Sequence, residues 1–341
     1  MNAIASFLPP LLVDTLGWTL VHFLWQGALV SLLLALALHC IHPFRSHLRY
    51  TVCCVALALM AALPVLTAMS IYEPAPSPMV VPEDSALAGS PPDPSPTPRQ
   101  TPAYGTAVGG AGSLLSWMDR LTAGIDRWLP WLVLAWGLGV AMLSTRHLGG
   151  WMAVQRLRRQ AVRPTAASWQ ERFRQLCVQM RLTRSVEFLE SAAAQVPMVI
   201  GWLRPAVLMP VSAFTGLTPQ QIDAILTHEL AHVRRHDYLV NLLQMVVEIL
   251  LFYHPAVWWA SEKIRQEREY CCDDLAVTLC GDRLQYARAL ANLESLRATG
   301  AVLVPAATGG ALLSRIRRLV GEAASPRDRV ASSPAVILVI S

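Results

Sequence analysis

The residues best suited to chemistry lie in the stretch His228-Glu229-Leu230-Ala231-His232. If this stretch is helical, histidines four residues apart share a face. Both imidazoles can then grip one Zn²⁺ while Glu229 points at the water that the ion binds. Zinc lowers the pKa of such a water toward ~7, and a neighbouring carboxylate takes its proton as general base. The pattern is short, and a helix with two solvated histidines beside Arg234, Arg235 and His236 is the bland alternative. A third ligand and the surrounding elements decide between the two.

One known pattern puts a third histidine six residues beyond the second, after a helix-ending glycine. Tyr238 stands in that place and no glycine intervenes, so this class is excluded. His236 is a rival, but one further turn carries it ~40° around the helix, too far to close a compact ligand set easily. Glu269 is the better candidate, in Arg265-Gln266-Glu267-Arg268-Glu269-Tyr270-Cys271-Cys272-Asp273-Asp274. Glu269 and Asp273 are four apart on an expected second helix and project to one side. Glu269 would complete a His₂Glu site with an open fourth position. Asp273 would accept a hydrogen bond from a ligand imidazole and fix its tautomer. Glu262 and Glu267 fall on other faces, and a solvated charged face with Arg265 and Arg268 is the alternative to the whole set.

The elements that must position these residues have their own signals. Thr218-Pro219-Gln220-Gln221 reads as a helix start, with threonine as N-cap, proline at the first helical position and Gln221 as the capping-box partner. Before it, Val186 to Leu189, Met198 to Ile200 and Ala206 to Met209 read as short strands split by Gly201 and Pro205. An edge strand of such a sheet could hold a substrate in extended form. The apolar run Tyr238 to Ala260 tempts a membrane-span assignment. A single crossing there would put Glu269 on the opposite side of the bilayer from His232, and the 36 residues between them are too few for two crossings. A buried or membrane-hugging helix turning near His254-Pro255 is expected instead.

Composition sets the wider frame. The 341 residues are 54% apolar and only 15% charged, with a mean hydropathy of +0.40 and a formal net charge of +5. That is poorer in charge than an average soluble domain and excludes disorder over the whole chain. Thr15–Leu38, Thr51–Tyr72 and Trp128–Thr145 are expected to span, the first extending ~36 Å against a ~30 Å hydrocarbon core. No lysine or arginine precedes Arg45 and Asp14 precedes the first run, which argues against a cleaved leader. Arg45 and Arg49 mark the first short loop, and Arg146, Arg156, Arg158, Arg159 and Arg163 follow the third run without an acid before Glu171. The segment between the second and third runs is net acidic. By the positive-inside rule the N-terminus and that Pro-rich segment lie outside, and everything after Arg146 is cytoplasmic. The arginines are thereby explained without nucleic acid. The seven cysteines all fall in spans or in the cytoplasmic part, where reduced thiols are expected.

At this point the chain resembles the BlaR/MecR family of membrane antirepressor metallopeptidases. The resemblance rests on Trp18–Leu38 with its LWQGAL stretch, on Pro197-Met198-Val199-Ile200-Gly201-Trp202-Leu203-Arg204-Pro205, on His228–His232 followed by Asp237, and on Glu269–Asp273. It implies an α-helical polytopic membrane protein carrying a cytoplasmic α+β zincin-like (gluzincin) metallopeptidase domain. His228, His232 and Glu269 would hold one Zn²⁺, Glu229 would be the catalytic base, and Asp273 and Asp237 would support the ligands. The expected divisions are 1–72 (two spans), 73–127 (an extracytoplasmic Pro-rich loop), 128–148 (a third span), 149–329 (the peptidase domain) and 330–341 (the start of a further span, cut short). The expected location is a bacterial inner membrane. The expected partners are the bilayer and a cytoplasmic protein substrate such as a winged-helix repressor, with a homodimer as a further candidate and no direct nucleic-acid contact. In β-lactam receptors of that family a further span leads to an external penicillin-binding sensor, so the activating signal here is left open. An HtpX/Ste24-like quality-control protease and a non-proteolytic, zinc-stabilised signal transducer are the rival functions.

Overall fold

The computed structural model describes residues 9–72, 124–159, 162–201, 204–300 and 309–321. The expected Pro-rich loop and the residues after 321 lie outside this set. Three described helices are long and apolar enough to cross a membrane: α1 (Pro10–Cys40), α2 (Ser46–Ile71) and α3 (Leu129–Arg159). Each covers most or all of its expected run and extends beyond it, α3 by more than ten residues. Pro64 sits inside α2 without ending it, as apolar spanning helices tolerate.

Two compact units are distinguished, 1–21 with 65–134 and 22–64 with 135–341. In the first, Gly17 lies where an added Cβ would come within 2.7 Å of the Leu129 side chain, and the Trp18 indole donates to Asp126 at 3.2 Å. The second unit contains the whole candidate site.

After α3 the chain forms β1 (Val162–Pro164), α4 (Ala167–Gln179), β2 (Glu187–Ser191), β3 (Met198–Ile200) and β4 (Ala206–Pro210). The sheet order is β1-β2-β4-β3, with β2 and β4 parallel and the outer pairs antiparallel. The strand β1 has no apolar run, and sequence pattern gives no sign of it. Every residue of β4 is buried, as a central strand covered on both faces requires. β3 is an edge.

Helices complete the unit: α5 (Val211–Gly216), α6 (Pro219–Arg234), α7 (Asp237–Leu250), α8 (Pro255–Cys280), α9 (Arg283–Gly300) and α10 (Gly309–Val320). The expected capping box at the start of α6 is present. Gln221 N–H donates to Thr218 Oγ1 at 3.3 Å, and Thr218 N–H donates to Gln221 Oε1 at 3.0 Å. His236 closes α6 against α7 with a left-handed backbone, φ +57°, a region where histidine is tolerated better than most residues. The run Tyr238 to Ala260 turns at Leu251–His254, in agreement with the turn expected near His254-Pro255. His254 caps α8 by accepting the Ala256 N–H at 3.1 Å. One apolar core joins α4, the sheet, α6 and α9 through residues such as Phe173, Phe188, Val207, Ile225 and Leu290. A second joins α1, α2, α7 and α8.

Candidate metal centre

The capped helix α6 packs against α8, and this pairing brings the candidate ligands together. Glu269 Oε2 lies 3.4 Å from His228 Nε2, and Glu269 Oε1 lies 3.7 Å from His232 Nε2. The two imidazole rings stand at 89° with centroids 4.9 Å apart. A tetrahedral ion with bonds of about 2.0–2.1 Å separates its donors by about 3.3 Å, so this spacing suits zinc. The donor chemistry agrees, because each Nδ1 is already engaged elsewhere and both Nε2 atoms face the carboxylate. Among the described residues His228, His232 and Glu269 form one of two groups whose donor atoms lie within 4.8 Å of each other. The other group is His232, Asp237 and Cys272, which shares His232 through its Nδ1 side. His236 sits at its turn and belongs to neither.

Each imidazole is oriented from behind. His232 Nδ1 lies 2.8 Å from Asp237 Oδ2, a carboxylate at the first turn of α7 that Arg235 also approaches. Such a bond assigns the proton to Nδ1 and leaves Nε2 free for a metal. His228 Nδ1 lies 2.9 Å from the Tyr286 hydroxyl, which donates to Asp273 Oδ1 at 2.6 Å. Asp273 is therefore near His228 (3.3 Å) but its shortest bonds go to Tyr286 and Arg315. Arg315 grips both oxygens of Asp273 at 2.6 and 2.9 Å and approaches Glu269 Oε2 at 3.3 Å. One turn along, Arg318 makes the same bidentate grip on Asp274 at 2.7 and 2.8 Å.

Two residues of the centre, Tyr286 and Arg315, escape a reading of the sequence. Tyr286 is set one turn into α9 by Asp282, whose carboxylate accepts the N–H groups of Leu284 and Gln285. The one available signal for Arg315 is the pairing of Asp273-Asp274 with arginines three apart. Arg265 and Arg268, the rivals for the carboxylates, are occupied otherwise: Arg265 pairs with Glu248 and Glu262, and Arg268 bonds Asn241. Glu267 pairs with Arg49.

The electrostatics follow from burial and pairing. Burial and Arg315 both oppose charge on His228, yet hydrogen bonding to Asp273 and Glu269 outweighs them and lifts its pKa to about 9. Burial would raise Glu269, but His228 and Arg315 pull it down to about 2. Asp273 is held far below the usual carboxylate range despite complete burial, by Arg315 and His228. Burial next to Asp273 pushes the Tyr286 phenol well up, so it remains a donor. Burial likewise keeps the Cys272 thiol protonated, and all seven cysteines are free.

A cleft of about 890 Å³ opens over the centre, and His228, Glu229, His232 and Glu269 line it. The edge strand β3 forms one wall, and Leu242 and Leu290 contribute apolar surface. Glu229, half-buried, is the remaining carboxylate of the HExxH motif and faces the same space.

Two histidines and a glutamate thus converge in a cleft walled by the edge strand β3, on a chain with three described helices long and apolar enough to cross a membrane. Comparison with known proteins narrows this. Residues 121–319, more than half of the chain, match the family described as BlaR1 peptidase M56. The regulatory protein BlaR1 of Bacillus licheniformis is 22% identical over 231 residues, covering 65% of this chain and 38% of that protein. The methicillin resistance mecR1 protein of Staphylococcus aureus is 29% identical over 77 residues, 23% of this chain and 13% of that one. This chain thus belongs to the BlaR1 peptidase M56 family, and it spans well under half the length of these relatives.

Proposed function

We propose that the protein is a polytopic inner-membrane zinc endopeptidase of the BlaR/MecR type, cutting a cytoplasmic protein in signal transduction. The observation that carries this reading is the convergence of His228 Nε2 and His232 Nε2 on the Glu269 carboxylate, 3.4 and 3.7 Å away, within a cleft that Glu229 also lines. His228, His232 and Glu269 would hold the metal in a gluzincin-like domain of residues 149–329. Zinc held there supplies Lewis acidity toward a scissile carbonyl and toward water.

The chain's own residues do the rest. Glu229 accepts the proton of the attacking water and returns it to the leaving amine nitrogen. Asp237 fixes the His232 tautomer. Tyr286, backed by Asp273 and Arg315, fixes that of His228. The free edge of β3 accepts an extended substrate backbone by strand addition. Contacts at the start of α2 support a cytoplasmic site: Arg49, in the arginine-bearing turn expected inside, donates to Glu267 at 2.7 Å. The turn and the site helix therefore share one side. A repressor is the substrate class that the BlaR/MecR resemblance implies.

The test is Glu229→Gln in the full chain, expressed in bacterial membranes. Profiling of protein N-termini in the host should reveal cleavage products with the wild type and none with the variant, while bound zinc stays at one per chain. Identical products from both proteins would overturn the enzymatic reading and favour a transducer in which zinc only stabilises the domain.

A further inference from the structure

The apolar run between the two ligand-bearing helices cannot cross the bilayer, and its packing indicates where it goes instead. Helix α7 is inside out. It buries Gln244 and Glu248, while Leu243, Val246 and Leu250 are 47%, 42% and 42% exposed. In water this would be an exposed apolar patch, whereas a polar face turned inward is the ordinary arrangement against hydrocarbon.

Depth follows from the neighbours. The hairpin tip meets α1 and α3 near the middle of their apolar lengths. His254 Nε2 donates to the Leu24 carbonyl at 3.0 Å, and a Cβ on Gly27 would lie 2.7 Å from that imidazole. On α3, a Cβ on Gly139 would collide with the Phe252 ring. At its other end the hairpin returns to the start of α2, where Arg49 pairs with Glu267 and Ser46 donates to Asp274 at 2.5 Å. Between these levels one apolar core is shared by Phe23 and Leu34 of α1, Leu57 of α2, Val247 of α7, and Val257 and Ile264 of α8. The 14 residues of α7 rise ~21 Å, enough to run from the headgroup boundary to the middle of a ~30 Å core.

The turn also satisfies its own polar groups, as backbone at membrane depth must. The Leu250 carbonyl accepts the Trp136 indole and the Phe252 carbonyl accepts the Trp258 indole, each at 2.7 Å. Of the charged groups on the hairpin, Glu248 pairs with Arg265 at 2.7 Å and Glu262 with the same arginine at 2.9 Å, while Lys263 donates to Gln266 at 3.3 Å.

We propose that α7 and the first half of α8 form a re-entrant hairpin reaching the bilayer mid-plane, with Leu243, Val246 and Leu250 in contact with lipid acyl chains. This rests on reading α1, α2 and α3 as spans. The consequence is that Glu269 sits less than one helical turn beyond Glu267, where the hairpin leaves the bilayer. The cleft is therefore fixed at the membrane face, and substrates reach it along the inner surface.

The experiment places a nitroxide-bearing unnatural side chain at Leu239, Leu243, Val246 or Leu250 of the full chain in phosphatidylcholine/phosphatidylglycerol bilayers. Relaxation by oxygen and by a water-soluble nickel chelate reports depth. Controls at exposed Leu33 of α1 and Val178 of α4 report the span reading and the aqueous domain. A depth that increases by ~16 Å from Leu239 to Leu250, at ~1.5 Å per residue, with Leu33 also lipid-exposed, is the expected result. A constant headgroup depth along α7, or nickel accessibility at Val246 with Leu33 still in lipid, overturns the hairpin alone. Nickel accessibility at Leu33 overturns the span reading and the hairpin with it.

Discussion

His232 takes its orienting partner from five residues further along the chain, Asp237, across a single tight turn. His228 takes its orienting partner from 58 residues away, Tyr286 on α9, whose hydroxyl is in turn held by Asp273 of α8 and through it by Arg315 of α10. The two ligands of one centre are thus held by different means. The local bond forms as soon as α6 and α7 close on His236. The distant one needs α8, α9 and α10 to dock first, and it buries charge in doing so: the Asp273 and Arg315 side chains are 1% and 15% exposed. The site therefore has a locally determined half and a half that reports the integrity of the whole fold.

Substitutions can break this contrast. The largest effect is expected from Asp273→Asn, which leaves the Arg315 guanidinium without its buried carboxylate. Breaking such a pair costs about 3–5 kcal/mol, visible as a lowered denaturation midpoint of the bilayer-reconstituted protein together with lost zinc. Unchanged stability there would show that α10 is not anchored through this pair. Asp237→Asn should weaken zinc binding about 10–100-fold, the usual cost of removing a ligand's hydrogen-bonding partner. Its stability should fall less than that of Asp273→Asn; competition with a chelator reads the first effect and denaturation the second. Tyr286→Phe keeps the ring and removes one hydroxyl between His228 and Asp273. It should cost about 1–2 kcal/mol, with a smaller loss of zinc affinity than Asp237→Asn. Should Tyr286→Phe prove the more damaging for zinc, the locally held ligand would not be the one that sets affinity.

Much of the centre is legible because its signals are short in sequence. The capping box at Thr218 and Gln221, the four-residue spacing of His228 and His232, and that of Glu269 and Asp273 are all consequences of helical periodicity. The strands β2, β3 and β4 can be read from their β-branched and apolar residues. β1 cannot, because Val162, Arg163 and Pro164 carry no such pattern and are drawn into the sheet by pairing with Glu190 and its neighbours. Hydropathy shows that residues 238–260 are apolar without distinguishing a crossing from a hairpin. That choice depends on whether Leu250 and His254, at the two ends of the turn, find partners such as Trp136 and Leu24, which lie more than a hundred residues earlier.

The amino-acid order alone determined the capped helix, the identity of the three candidate ligands and of Glu229, and the three apolar helices, because each depends on side-chain periodicity or on composition within one segment. Tertiary structure alone decided that Tyr286, held by Asp273 and Arg315, stands behind His228, that β3 is the edge strand lining the cleft, and where the hairpin tip comes to rest. Those outcomes are set by hydrogen bonds and burial between segments far apart in the chain, and no local pattern encodes which of several arginines or tyrosines will satisfy a buried carboxylate.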